Sequence, residues 1–300
     1  MAAGYRLFNV RLESKTPVTP SLLRCVFSGP EIHEMKLDGP DQRIKLLFAS
    51  EQGGATTMQL GESWYDDYLA LPRESRPLMR TYTLRAVDAR HEKAVVEFVL
   101  HGETGPASRW AMHASPGDSL QMVAPNALSD EDSGGYEWLP HSGVEQVLLI
   151  ADETALPAAK SILENLAQQA TPPQVQAFFE VPLHSDCSAS GHFPFAHICW
   201  LPREATGSHI WGERLLAAVK ERFKIPSGAR LPQTALVEEI PEGELLWELA
   251  SGDQPFYAWV AAESTAVKHL RRYLLDECGL DRSTITFMAY WSSRPSLPGR

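Results

Sequence analysis

The sequence predicts two domains in series: an antiparallel six-stranded β-barrel, then an α/β domain built on a parallel sheet. Three observations point there. The first part of the chain offers five or six short β-like runs between turn residues, with little helical periodicity, a pattern that suits a small closed barrel. After residue 145, strands that are apolar throughout alternate with amphipathic helices, which implies parallel pairing with right-handed crossovers. The length of 300 residues also exceeds what one hydrophobic core usually holds. The expected boundaries are 1–128 for the barrel, 129–144 for a linker rich in Asp, Ser and Gly, and 145–300 for the α/β domain with a C-terminal extension.

The barrel strands follow from period-2 patterning and its interruptions. Tyr5 to Glu13 and Leu22 to Phe27 flank a turn region carrying Pro17 and Pro20. Arg43 to Phe48, Arg80 to Ala86, Ala94 to Leu100 and, after the Pro116-Gly117 turn, Ser119 to Val123 complete the set. Glu51 to Pro77 reads as a long irregular loop, and loops of that length are often functional. Its Trp64, Tyr65 and Tyr68 suit either of two roles, lying over a ligand or pinning the loop to the barrel.

In the second domain, Gln146 to Ala151 is an apolar run of the kind buried on both faces of a sheet. The helix after it places Leu156, Ala159, Ile162, Leu163 and Leu166 on one face, with Asp152 or Thr154 as its cap and Pro157 in its first turn. Val175 to Val181 and Ala196 to Leu201 are strands, Glu213 to Phe223 is a helix, and Phe256 to Ala261 is a buried strand. Ser264 is the expected cap of a helix that buries Val267, Leu270, Leu274 and Cys278 and stops at Gly279. Thr284 to Tyr290 is the last strand.

Composition narrows the function. A formal net charge of −11 argues against nucleic acid as a partner, because phosphate binding needs a basic face. No apolar run approaches the ~20 residues that cross a bilayer, and Met1 to Val10 lacks the features of a leader. The expectation is therefore a cytoplasmic protein with no membrane insertion. Four cysteines occur without a C-x-x-C pair, and Cys187 with His192 or Cys199 with His197 matches no usual ligand spacing, so no metal centre is expected.

The chemistry concentrates in Arg80-Thr81-Tyr82-Thr83-Leu84-Arg85. This strand mixes guanidinium, aromatic and hydroxyl groups, the mixture a flavin nucleotide needs. Pyrophosphate calls for a bidentate cation, the flat ring for an apolar face, and its polar edge for a hydroxyl. His101 to Trp110 follows closely and suits the same phosphates: Gly105 permits close backbone approach, and Pro106, Ala107 and Ser108 open a helix with free N–H groups. Carboxyl ends of parallel strands carry the ligands of such sheets. Here they deliver Asp152-Glu153-Thr154-Ala155, Glu263-Ser264 and Tyr290-Trp291, without a G-x-G-x-x-G fingerprint. Asp152 and Thr154 suit nucleotide binding, helix capping, or both. Lys268, Arg271 and Arg272 lie at i, i+3 and i+4, which makes them one basic helix face, either solvated or ligand-binding.

The order of motifs resembles one family from Arg6 to Trp291. Arg80-x-Tyr82-Thr83-x-Arg85 precedes His101-Gly102-x-x-Gly105-Pro106-Ala107-Ser108-x-Trp110-Ala111. Asp152-Glu153-Thr154-Ala155-Leu156-Pro157-Ala158 and Tyr257-x-Trp259-Val260-Ala261 follow. This is similar to the siderophore-interacting proteins, FAD-dependent ferric-siderophore reductases on the ferredoxin-reductase plan. The resemblance implies that Arg80 holds flavin phosphate, Tyr82 packs on the isoalloxazine, Thr81 and Thr83 line its edge, and His101 and Gly105 to Ser108 complete the cofactor site. Trp110 is expected to pack in the interior. Asp152, Thr154 and Ala155 become the turn that receives NADPH or NADH, with Glu153 pointing away from the phosphates or facing the nicotinamide. Lys268, Arg271, Arg272, Trp291 and Arg294 become candidates for the ferric chelate.

Two departures bear on that last group. Ala262 stands where the family commonly has Gly, and Ser292 follows Trp291 where it has Arg. Arg294 replaces that arginine, or substrate choice differs. The implied function is NAD(P)H-dependent reduction of Fe(III) in a siderophore or other ferric chelate, with no catalytic acid, base or nucleophile on the protein. Alternatives are a ferredoxin- or flavodoxin-type or general flavin reductase, a ferredoxin as donor, and a non-catalytic ferric-siderophore carrier.

Overall fold

A computed structural model of the chain describes residues 4–50, 57–61, 63–103, 105–187, 192–207, 210–230, 240 and 244–293. The chain divides into two compact units, Met1–Tyr136 and Glu137–Arg300.

In the first unit, β1 (Tyr5–Thr19), β2 (Leu22–Ser28), β3 (Arg43–Phe48), β4 (Leu78–Asp88), β5 (Lys93–Val99) and β6 (Ser119–Pro125) close a barrel in the order β1-β2-β5-β4-β3-β6. Alternation decides which side chains fill it. Phe8, Phe27, Leu46, Leu84, Phe98 and Met122 point inward and are fully buried, each contributing about 1.5–3 kcal/mol relative to exposure. A one-residue slip of any strand would turn that set outward, so burial fixes the register.

The expected break at Pro17 does not occur. β1 runs through it, pairing with β6 over Tyr5 to Arg11 and with β2 from Arg11 to Thr19. Pro17 sits opposite Leu23 beside a register shift, where a missing N–H is tolerated, and the turn is confined to Pro20 and Ser21.

Helix α1 (Trp64–Ala70) interrupts the long loop. Trp64 is buried with Leu7, Leu47, Met58 and Val123, so it pins the segment to the barrel, and the Tyr65 and Tyr68 rings stack at 6.1 Å. Helix α2 (Pro106–His113) turns Ala107, Trp110 and Ala111 onto the barrel's interior cluster. Lys15 Nζ donates to the carbonyls of Ala111 and Met112 at its C-terminus (3.1 and 2.9 Å), where the helix dipole favours a cation. The stretch 129–144 is structured at both ends. The Gly135 carbonyl accepts the Arg43 N–H (2.7 Å), and Trp138 is buried edge-on to Tyr257 at 5.1 Å.

The second unit contains β7 (Gln146–Ala151), α3 (Leu156–Leu166), β8 (Gln174–Val181), β9 (Ala196–Pro202), α4 (Glu213–Arg222), β10 (Trp247–Glu248), β11 (Phe256–Glu263), α5 (Ser264–Arg272) and β12 (Ile285–Trp291). The sheet order is β10-β12-β11-β7-β8-β9, parallel except for the β10 edge. Residues of β11 alternate between two cores. Tyr257 and Trp259 pack with α3, while Ala258 and Val260 pack with α4 and α5.

Three local expectations change. Glu263, not Ser264, caps α5, its carboxylate accepting the N–H groups of Thr265 and Ala266 (2.6 and 3.2 Å). The residue at the start of α3 is Ala155, with no side-chain cap, because the Asp152 carboxylate is engaged elsewhere. Beyond Arg272 the helix widens into a π turn, Tyr273–Glu277, before Gly279 ends it at φ +67°.

Candidate functional site

The first unit gathers its candidates around β4 and the start of α2. Arg80 is exposed, and its Nη1 donates to the adjacent Met79 carbonyl (2.9 Å). The Tyr82 ring is half-buried, 4.6 Å from Phe98, which in turn lies 5.8 Å from Trp110 of α2. This aromatic row couples the strand to the helix, with Trp110 in the interior cluster as expected. Burial also raises the Tyr82 phenol well above its ordinary pKa and keeps it neutral. Thr83 is buried, while Thr81 is exposed and accepts from Lys45 Nζ at 2.6 Å. Arg85 belongs elsewhere, paired with Arg24 on the buried carboxylate of Glu97 (3.4 and 2.8 Å).

Lys45, which sequence reading did not single out, joins this group through Thr81. Desolvation, and then the Arg43 guanidinium, depress its pKa. Its outward place between Ile44 and Leu46 was the available signal, and the β3–β4 register that sets it opposite Thr81 was not visible.

The loop before α2 is tied by Ser108. Its Oγ donates to the Gly102 carbonyl (2.7 Å) and accepts the His101 N–H (3.2 Å), so this hydroxyl shapes the loop while the His101 side chain lies exposed. Gly105 occupies the N-cap position with φ −121°, ordinary for any residue, and has no side chain with which to cap the helix. A Cβ built there would meet nothing within 4 Å. Glycine therefore leaves open space at the start of the helix, with Pro106 at the first helical position. The exposed guanidinium, the open helix N-terminus and the half-buried ring together fit a flavin dinucleotide.

The second unit gathers Asp152, Thr154, Ala155 and Trp291 at the carboxyl edge of its sheet. Asp152 is buried and accepts four hydrogen bonds. Oδ1 takes the N–H and hydroxyl of Thr154 (2.9 and 2.6 Å), and Oδ2 takes the Glu263 N–H and Trp291 Nε1 (2.9 and 2.8 Å). Its backbone carbonyl accepts from Ala155 and Leu156 (3.1 and 3.0 Å). Glu263 extends the network, its Oε1 accepting the Ser293 N–H and hydroxyl (3.1 and 3.0 Å). Two carboxylates far apart in sequence thus hold the end of β12, and neither pairing was legible beforehand. Glu153 is bound by Arg203 (2.7 Å), which also reaches Glu180 (3.1 Å).

Burial, and then the neighbouring Glu153 charge, push the Asp152 carboxyl up to about 7 from the ordinary 3.8, against the bonds from Thr154 and Trp291. Between those values the folded chain holds a proton that the unfolded chain has released. This contribution to stability is complete below 3.8 and is lost as pH rises to about 7. The Asp152 side-chain carbon signal should accordingly titrate near neutrality by NMR, and a midpoint below 5 would contradict this account.

The basic helix face is only partly real. Arg271 is buried and bonded to Glu248 (3.0 Å), which Arg282 also reaches (2.8 Å). Helical spacing places Arg271 beside Lys268 and Arg272, but its position also faces the β10 edge, which the sequence did not reveal. Arg272 is exposed and Lys268 half-exposed. Ser292 is exposed, and Arg294 lies outside the described residues. Among the described residues, no cluster of His, Cys, Asp or Glu forms a metal site, and no helix is long and apolar enough to cross a membrane.

Comparison with known proteins matches residues 11–129 to the siderophore-interacting FAD-binding domain and residues 144–294 to the siderophore-interacting protein family. Ferric vibriobactin reductase of Vibrio cholerae is 26% identical over 277 residues, spanning 92% of this chain and 86% of that protein. The NADPH-dependent ferric-chelate reductase of Escherichia coli is 25% identical, spanning 92% and 89%. A siderophore utilization protein from T. fusca superposes with a TM-score of 0.73 at 25% identity, over 99% of this chain and 97% of that one. The barrel from Arg11 onward, with the helix that opens at Pro106, and the whole sheet of the second unit fall within the two matched segments, and the chain belongs to the siderophore-interacting protein family.

Proposed function

We propose that this chain is a flavoprotein that uses NADPH or NADH to reduce Fe(III) held in a siderophore or similar chelate, acting in the cytoplasm. The observation that carries the reading is the match of both units, in order, to this family, with relatives of nearly equal length named as ferric reductases. Bound FAD supplies the chemistry, since a flavin accepts two electrons together and releases them singly.

The chain's own residues bind and orient. Arg80 and the N–H groups of Gly105, Ala107 and Ser108 cradle the pyrophosphate, with Pro106, which has no N–H to give, fixing the first turn of α2. Tyr82 flanks the ring, Thr83 and Thr81 line its edge, and His101 stands beside it. Asp152, Thr154 and Ala155 receive the nicotinamide nucleotide. Lys268 and Arg272 supply positive charge toward an anionic chelate, and Trp291 and Arg294 are further candidates to meet it, while Arg271 braces β10. The cysteines are free thiols, three of them buried, as suits a reducing compartment.

Anaerobic mixing tests the reading. NADH or NADPH should bleach the flavin, and a ferric siderophore should then re-oxidise it at least about tenfold faster than buffer does. Reduced ferredoxin offered instead of nucleotide tests the other donor. Bleaching without faster re-oxidation by any ferric chelate would overturn the assignment.

A further inference from the structure

Three adjacent strands of the second unit end in one ionic cluster. Glu153 lies two residues past β7, Glu180 is the penultimate residue of β8, and Arg203 directly follows β9. Arg203 grips Glu153 with both terminal nitrogens (2.7 and 2.5 Å), and its Nη1 reaches Glu180 Oε1 at 3.1 Å. Glu180 is fully buried; the same Oε1 accepts the Gly212 N–H (3.0 Å), while Oε2 has no hydrogen-bond partner. Gly212 cannot retreat. It sits at φ +80°, and a Cβ there would lie 2.1 Å from that of Ala266. Trp211 covers the guanidinium at 5.8 Å and meets Trp291 edge-on at 5.0 Å.

The end of the strand beside the first β-α turn is where such sheets read the adenosine ribose. A carboxylate there accepts from the 2′-hydroxyl of NADH, and an arginine pairs with the 2′-phosphate of NADPH. This chain has both residue types, so the question is which remains available. Arg203 is already bound by two carboxylates, and with both ionised the triad carries net charge −1. To grip a phosphate it would have to release one of them, leaving a buried carboxylate unpaired. A hydroxyl asks only for a carboxylate lone pair, and Glu153, whose side chain is 11% exposed where that of Glu180 is fully buried, has several. Nearby charges do not reverse the balance: Arg214 donates to the Pro202 carbonyl (2.6 Å), and Glu204 adds a further carboxylate, bound to the His184 N–H (2.5 Å).

We propose that the Glu153–Arg203–Glu180 cluster makes this chain select NADH over NADPH, offering the Glu153 carboxylate to an unphosphorylated ribose while Glu180, buried behind it, helps withhold Arg203 from a 2′-phosphate. The inference rests on the nicotinamide-donor reading above and sharpens it.

The test uses the full, flavin-loaded chain. Flavin reduction is measured with each nucleotide, and binding of ADP-ribose and of its 2′-phosphorylated form is measured by calorimetry. The expected result is a kcat/KM favouring NADH by about tenfold or more, with ADP-ribose binding tighter by a similar factor. Glu180→Gln should shrink both ratios about tenfold. Glu153→Gln, nearer the surface, should do the same if the buried change impairs folding. Rapid reduction with NADPH equal to or better than NADH, or ratios unchanged in both variants, would overturn the selectivity alone. Failure of both nucleotides to reduce the flavin would overturn the donor reading and this inference together.

Discussion

Arg80→Ala should yield a folded protein that loses its flavin. The side chain is exposed and donates to the neighbouring Met79 carbonyl, so its removal strands no buried charge, and the thermal midpoint should stay within about 2 °C. A charge-assisted contact to pyrophosphate contributes about 1.5–3 kcal/mol, which raises the FAD dissociation constant about 10- to 100-fold. Flavin absorbance per chain after dialysis reads the effect. Tyr82→Ala should lose flavin too, but it also removes packing against Phe98, so Tyr82→Phe is the control that keeps the ring. Stoichiometric FAD on Arg80→Ala would refute the placement of the phosphates.

Arg203→Met should be the most destabilising change in the second unit outside its apolar cores. Glu153 and Glu180 would face each other without a cation in a buried cluster, at a cost of about 3–5 kcal/mol. Adding Glu153→Gln and Glu180→Gln should restore most of that loss, because the uncompensated charge is what destabilises. Urea unfolding of this unit, followed by tryptophan fluorescence, reports both. A loss below about 1 kcal/mol would mean that water solvates the cluster and that its pairing is of the weak surface kind.

These two sites differ in how far they could be read from the sequence. The proposed flavin cradle rests on residues close together in the chain, Arg80 to Thr83 and His101 to Ser108, whose chemical types suggest a phosphate and a ring. The ionic cluster joins positions 153, 180 and 203, and neither spacing nor residue type connects them. Arg271 shows the same limit, since its helical position was readable but its partner Glu248 was not. Other differences are local. The strand through Pro17 depends on a register shift in β1 itself, between Pro17 and Thr19, β10 is too short to show a period, and the cap at Glu263 competed with an adjacent serine that satisfies the same preference.

What the sequence determined by itself is whatever acts over a few residues: period-2 strands that close a barrel, apolar runs buried on both faces of a sheet, helix faces, and the phosphate-ready motif around Gly105. What only the tertiary structure decided is which distant charges meet. Strand order β12-β11-β7-β8-β9 brings Asp152 to Trp291 and Glu263, and Glu153 to Arg203 and Glu180. The physical reason is that hydrophobic burial follows a repeating local pattern, whereas an ion pair is made by whichever strand ends the packed sheet sets side by side.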